Sequence, residues 1–262
     1  MRKILSFALA AMMLFGVFTF TGCDAVFDFL QNFERIDAAA LTNQISTDTI
    51  KGVVKVYSKS YNTFLGMETV SSTAQGSGFC FHIQDGCYYI LTNCHVVLKD
   101  ASYDKQKLTV EDYQGNTYEG YLYKNPDTGI SAIAAAYDLA CLYFEAASTN
   151  VKALSIVSDN WPVGKDVISI GAPEGQSNSI TFGKLVNYGK VTLSDSSAAL
   201  SNVTFDVICH NAYANKGSSG GPLLNADLNV VGVNYAGSDS SNYAFAIPAE
   251  KVCEFLDKYV YD

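Results

Sequence analysis

The stretch Gly217-Ser218-Ser219-Gly220-Gly221-Pro222 decides how the rest of the chain is read. Small residues of this kind make a turn, and glycine accepts positive φ and the close approach of another backbone. Formally the stretch fits G-x-S-x-G, the turn that exposes a nucleophilic serine in α/β-hydrolases, where the partner histidine follows the serine along the chain. All three histidines, His82, His95 and His210, precede Ser219, so chain order excludes that architecture. The order that remains places histidine first, a carboxylate second and serine last.

Working outward, Leu91-Thr92-Asn93-Cys94-His95-Val96-Val97 supplies the histidine and Tyr137-Asp138-Leu139-Ala140 the carboxylate. A serine hydroxyl is a poor nucleophile until an imidazole removes its proton, and that imidazole needs a buried carboxylate to fix its tautomer and stabilise its transient charge. Asp138 opens the apolar run Leu139 to Phe144 and is expected to be buried, whereas Asp100, Asp104, Asp112 and Asp127 lie in polar, loop-like runs. Taken singly, a G-S-S-G-G run is a loop and a histidine beside Val96-Val97 is a packed residue. Together and in order they point to His95, Asp138 and Ser219 as a catalytic set. His210 is read as structural or pocket-lining, and His82 as solvent-facing.

Seventeen Tyr, fifteen Phe and twenty Gly against five Pro favour pleated structure with tight turns. Short extended runs between turn signals read as strands at 52–57, 78–83, 87–92, 107–110, 117–123, 139–144, 166–171, 181–190, 203–210, 222–224, 230–235 and 243–247. Gln84-Asp85-Gly86 is the clearest hairpin turn. Val252, Phe255, Leu256 and Tyr259 share one face of a closing helix over 249–261, and the polar run 147–152 is a candidate linker between two halves. Val26, Phe27, Phe29, Leu30, Phe33 and Ile36 have helical spacing within 24–45, which suits a tether.

The ordered motifs resemble those of trypsin-like serine proteases, most closely the HtrA/DegP type. Gly76-Ser77-Gly78-Phe79, Ile170-Gly171-Ala172-Pro173 with Gly175, Asn211-Ala212, Asn215 and Phe245-Ala246-Ile247-Pro248 extend the resemblance over about residues 50–260. It implies an all-β fold of two packed antiparallel six-stranded β-barrels with a C-terminal helix. The first barrel is expected over about 48–146, the second over about 153–248 and the helix over 249–261, all in one protease domain, 48–262. The implied activity is serine endopeptidase cleavage of extended or unfolded polypeptides through a Ser219 acyl-enzyme, with no metal and no cofactor.

The resemblance assigns the oxyanion hole to the backbone N–H groups of Gly217 and Ser219, and the primary substrate pocket to Tyr213, Ala214, Asn234, Tyr235, Ala236 and Ala244. No acidic residue is placed at the pocket base, which favours small or medium apolar side chains over Lys or Arg. A substrate strand would add to the edge Val233 to Ala236. Two residues depart from the family pattern: Ser218 where digestive relatives have Asp, and Lys216 where HtrA sequences usually have Pro. Activation by insertion of a new N-terminus is therefore not expected. These departures keep a second reading open, a surface-attached peptide-binding protein with little or no catalysis, and the same triad would also serve an acyltransferase or esterase. Too few residues follow Ile247 for the peptide-binding PDZ domain that HtrA-type proteins often carry.

Met1-Arg2-Lys3 followed by the apolar run Ile4 to Thr21 has the form of an export signal over 1–22. Phe20-Thr21-Gly22-Cys23 resembles a bacterial lipobox, with Phe20 where Leu is usual, which makes Cys23 a lipidation site and 23–47 a lipid-anchored tether. An uncleaved anchor and a fully secreted form fit the same residues. All three place the remaining chain outside the cytoplasm. With 26 acidic and 17 basic side chains and a net charge of −9, the chain lacks the basic footprint of a nucleic-acid binder. Its 48 % apolar and 16 % charged content excludes a disordered chain. Apart from Cys23, Cys80, Cys87, Cys94, Cys141, Cys209 and Cys253 are six cysteines with neither C-x-x-C nor zinc-ligand spacing, read as free buried thiols or as one or more disulfides.

Overall fold

A computed structural model describes residues 38–99, 101–172, 179–191, 201–214, 216–237 and 243–261. The export signal, Cys23, the helical spacing over 26–36, and Pro173, Gly175 and Asn215 lie outside the described residues. Among the described residues no helix is long and apolar enough to cross a membrane.

A helix α1 (Ala38–Thr47) leads into β1 (Val53–Phe64), β2 (Met67–Gln84) and β3 (Cys87–Thr92). A short helix α2 (Cys94–Val97) follows, then β4 (Lys105–Glu111), β5 (Thr117–Leu122), β6 (Ile133–Ala134) and β7 (Leu139–Glu145). These strands run β3-β2-β1-β4-β5-β7, and pairing of β3 with β7 closes them into a barrel with β6 appended to β7. The second barrel comprises β8 (Asp166–Gly171), β9 (Ser179–Gly189), β10 (Val207–His210), β11 (Pro222–Leu224), β12 (Val230–Gly237) and β13 (Ala244–Pro248), closed in the order β10-β13-β12-β11-β8-β9. Two closed, antiparallel, six-stranded barrels and a C-terminal helix are thus the observed fold. Helix α3 (Ala249–Leu256) is α-helical only to Leu256, and Asp257–Tyr261 continues as a wider π-type turn.

Strand alternation explains why the barrels pack. In a strand buried on both faces, odd and even residues serve different cores. Val54, Val56, Cys80, Ile90, Leu142 and Phe144 fill the first barrel, with Phe144 stacked between Tyr88 and Tyr118. Their neighbours Val53, Phe79, Leu91 and Cys141 face a different core, shared with Ile168, Ile170, Leu224, Val233 and Ile247 of the second barrel and Val252 and Phe255 of α3. Val167, Leu185, Ile208, Leu223 and Val231 fill the second barrel. The central core holds the barrels together along the seam where His95, Asp138 and Ser219 lie.

All six described cysteines are free, with Cys80, Cys94 and Cys141 buried and Cys87, Cys209 and Cys253 half-buried.

Candidate active site

His95 sits on α2, whose N-cap Asn93 is still extended. The imidazole Nδ1 lies 2.6 Å from Asp138 Oδ2, and the His95 backbone N–H donates to Oδ1 at 2.9 Å. On its other side the Asp138 carbonyl accepts from Asn93 Nδ2 at 2.9 Å and from the Cys94 N–H at 3.1 Å. Residues 93 to 95 therefore enclose Asp138, which is fully buried. Asp138 has φ +48°, a left-handed conformation that Asp and Asn accept more readily than other L residues. With Nδ1–H given to the carboxylate, Nε2 is left as the proton acceptor. Burial pushes the Asp138 carboxyl above its usual value, opposed by the His95 donors. Burial also pushes the neighbouring Cys94 thiol up to about 12, which makes it inert as a nucleophile.

Among the alternative carboxylates, Asp112 is buried as well. Its oxygens accept from the N–H of Gln114 and of Asn116, from Asn116 Nδ2 and from the Tyr118 hydroxyl, so it is consumed in closing the β4–β5 turn.

Ser219 occupies a turn whose glycines at 217 and 220 have φ of +97° and +87°. Gly220 N–H donates to the Asn234 carbonyl, and Asn234 N–H to the Gly221 carbonyl, both at 2.8 Å. Ser219 Oγ donates to the Tyr235 carbonyl at 3.4 Å. That carbonyl is aimed at the turn because the β12–β13 register shifts between Asn234 and Ala236, a bulge at Tyr235. Among the described residues no hydrogen bond joins Ser219 Oγ to His95, and no acceptor takes the N–H of Gly217 or Ser219. Two backbone donors in one tight turn are available to an incoming oxygen.

The turn is brought to His95 by the first barrel. A Cβ on Gly76 would stand 2.7 Å from Val96 Cγ2 on α2 and 2.9 Å from the Ser219 carbonyl, so only a glycine fits between them. A Cβ on Gly220 would stand 2.2 Å from the Ser77 carbonyl and 2.4 Å from Thr92 Oγ1. The backbone of the Ser219 turn thus abuts the segment that carries His95, at the seam of the two barrels.

The six residues expected to form a pocket divide. Tyr213 is 60 % exposed and its carbonyl accepts from Thr181 Oγ1 at 2.7 Å. Ala214 is half-buried, and its carbonyl oxygen lies 2.8 Å from where a Cβ on Gly237 would be, so the 213–214 segment closely faces the end of β12. Ala236 is half-buried and Ala244 buried, the latter pairing with both Gly237 and His210. Asn234 instead turns its side chain into the barrel, where it meets Ser169 Oγ and the carbonyls of Ile170 and Pro222. The Tyr235 ring is buried in the core between the barrels with its hydroxyl 3.2 Å from Ser201 Oγ. These two residues hold the turn through their backbone groups, while their side chains point away from it.

His82 is exposed and His210 fully buried. Among the described residues no hydrogen bond of ordinary geometry reaches either ring nitrogen of His210, and burial drives its pKa down to about 4 against a weaker opposing contact with the Ala212 backbone. Among the described residues no group of three or more His, Cys, Asp or Glu is placed to hold a metal ion. Sequence reading missed Asn93, Thr92 and Asn234 as supports. Ser77 was visible only as part of the Gly76-Ser77-Gly78-Phe79 motif.

A family model described as trypsin-like peptidase domain matches residues 76–233. Serine protease HTRA1 of Xenopus tropicalis is 33 % identical over 183 residues, covering 70 % of this chain and 35 % of the relative. Serine protease Do-like HtrB of Bacillus subtilis is 33 % identical over 218 residues, covering 80 % of this chain and 44 % of the relative. The chain spans less than half the length of these curated relatives. Among solved structures, the active form of the Rv3671c protease from M. tuberculosis shares the fold with a TM-score of 0.64 at 23 % identity, covering 86 % of this chain and 87 % of that one.

Proposed function

The chain belongs to the trypsin-like peptidase family, and on that premise we propose that it is a serine endopeptidase in which His95, Asp138 and Ser219 carry the chemistry. The observation that supports this most directly is the buried His95–Asp138 pair beside a Ser219 turn with two backbone donors that no acceptor among the described residues takes. Ser219 Oγ leaves the Tyr235 carbonyl and attacks the substrate carbonyl carbon while Nε2 of His95 takes the hydroxyl proton. The resulting oxyanion is held by the N–H groups of Gly217 and Ser219, a type of contact worth ~3 to 4 kcal/mol for each donor removed. Collapse of the tetrahedral adduct breaks the C–N bond, and the imidazolium gives its proton to the leaving amine. Water, deprotonated by the same imidazole, then releases the acyl group and restores the Ser219 hydroxyl.

From Tyr235 onward, β12 pairs with β13 on one side, while its pairing with β11 ends at Val233. This open ladder edge suits an extended or unfolded polypeptide added as a further strand. Tyr213, Ala214, Ala236 and Ala244 offer no charge to a primary side chain, which favours small or medium apolar residues before the cleaved bond. The sequence of residues 1–22 and Cys23 further supports export and lipid anchoring on the outer face of a membrane, with 23–47 as tether and polypeptides as substrates.

Labelling with a fluorophosphonate is the decisive test: the wild type reacts and Ser219→Ala does not. A wild type that never reacts and cleaves no denatured protein would leave a peptide-binding role instead. Cleavage sites in a denatured proteome dominated by Lys or Arg would refute the apolar pocket. Fatty-acid labelling that survives Cys23→Ala would refute the anchor.

A further inference from the structure

We infer that Ser77 is a positioning residue that sets the geometry of the two oxyanion donors from the opposite barrel. Ser77 lies on β2, is fully buried, and uses each of its polar atoms. Its hydroxyl donates to the Gly217 carbonyl at 2.6 Å and accepts from the Ala172 N–H at 3.0 Å. Its backbone N–H donates to the Ser219 carbonyl at 2.7 Å, and its own carbonyl accepts from Thr92 Oγ1 at 2.7 Å.

The two pinned carbonyls belong to the two residues whose N–H groups form the proposed hole. The Gly217 carbonyl lies between the donors along the chain and the Ser219 carbonyl just beyond the second. Gly217, with φ +97°, has no side chain to restrain it, and a glycine crosses φ/ψ space at little cost. Fixing its carbonyl from outside removes most of that freedom. A hydroxyl is required, because one atom must donate to Gly217 and accept from Ala172 at once. Thr92, next but two before His95, completes the connection on the histidine side. Ser77 therefore couples the position of the oxyanion donors to the strand that leads into the general base. It touches neither substrate nor reacting atoms and acts only through the turn.

This inference rests on the serine endopeptidase reading, and the test separates the two. Ser77→Ala in the full chain should lower kcat ~10- to 100-fold, somewhat less than direct loss of one hole donor, with KM changed less than about twofold. Binding of a peptide aldehyde, which forms a tetrahedral adduct, should weaken by the same factor as kcat/KM, while a peptide acid of the same sequence binds as before. Ser77→Thr, which keeps the hydroxyl, should recover most of kcat. Independently of any substrate, the backbone amide NMR signals of Gly217 and Ser219 should shift or broaden in Ser77→Ala, with the His95 and Asp138 amides little changed. Unchanged signals for Gly217 and Ser219 overturn the inference even in a protein that cleaves nothing. So does a kcat within twofold of wild type, or equal weakening of aldehyde and acid. Activity retained in Ser219→Ala would instead overturn the endopeptidase reading and leave the NMR arm standing.

Discussion

His95 and Asp138, 43 residues apart, are joined within a single barrel by direct side-chain bonds, while the Ser219 turn is held to that barrel through backbone carbonyls, as in the Ser77–Gly217 bond that spans 140 residues. The first half of the site is defined by a charge and its donors; the second is defined by where two barrels meet. The histidine side should therefore fail when its charge is removed with geometry intact. The serine side should fail when packing across the seam is disturbed with His95, Asp138 and Ser219 all intact.

Removing the charge gives the largest effect. Asp138→Asn keeps a residue that accepts φ +48° and keeps the carbonyl that Asn93 and Cys94 bind, so the fold should persist. The amide cannot hold Nδ1 protonated, and kcat should fall by about 10⁴-fold, as in the general behaviour of such triads. Turnover of a peptide substrate, set beside the thermal midpoint, checks this. A loss below tenfold would show that the carboxylate is structural.

Packing at the seam comes next. Gly220 and Gly115 share φ +87°, but a Cβ on Gly115 meets nothing within 4 Å, whereas one on Gly220 meets the Ser77 carbonyl and Thr92. Gly115→Ala should cost ~1 kcal/mol of backbone strain alone. Gly220→Ala should cost about 4 kcal/mol, because backbone must move, and should lower activity with it. Urea unfolding of both variants isolates the seam. Equal costs would mean that the barrels yield without loss.

These sites also mark what a sequence can disclose. Closed barrels follow from strands that are apolar on both faces, and β8 and β11 have the bounds expected for them because each is a short run buried almost from end to end. His95, Asp138 and Ser219 stand out as candidates in the sequence because the proposed chemistry limits the residue types. The resemblance assigns Asn234 and Tyr235 to the pocket, whereas both side chains turn into packed interior beside the bulge at Tyr235, and a family pattern carries no such local side-chain direction. Ser77 and Thr92 act through bonds to residues distant in sequence, which no local pattern encodes. The two-residue strand β6 pairs only Ile133 and Ala134 with β7, too short to show a period.

The second barrel differs from the first in holding a fully buried imidazole, which among the described residues has no hydrogen bond of ordinary geometry. Buried His210 takes its proton near pH 4, whereas an unfolded histidine does so near 6.5. Between these values the unfolded state binds more protons, so the stability due to neutral His210 is complete above pH 6.5 and is lost as pH falls toward 4. The loss amounts to roughly 3 kcal/mol. Unfolding free energies at pH 7 and pH 4.5, wild type against His210→Leu, separate this from carboxylate titration common to both. A variant as acid-sensitive as the wild type would remove His210 from the account.

A site far from the cleft sharpens the contrast further. Leu65-Gly66 and Asp85-Gly86 are two-residue turns of nearly identical shape, with φ of 50° and 79° in the first and 51° and 78° in the second. Pairing of Phe64 with Met67 and of Gln84 with Cys87 closes both. Aspartate suits its left-handed position; leucine does not, and Leu65 also leaves 83 % of its surface exposed. The sequence marked the second turn and hid the first, because leucine carries no turn signal. Leu65→Asn should relieve the strain and stabilise the protein by ~1 kcal/mol, raising the thermal midpoint by roughly 2 to 4 °C. Because this turn lies outside the bonds that join His95, Ser77 and Ser219, kcat should stay at the wild-type value. Stabilisation with altered kcat would mean that strain in the β1–β2 hairpin reaches the site along β2, and the division between a charge-defined half and a seam-defined half would have to include it.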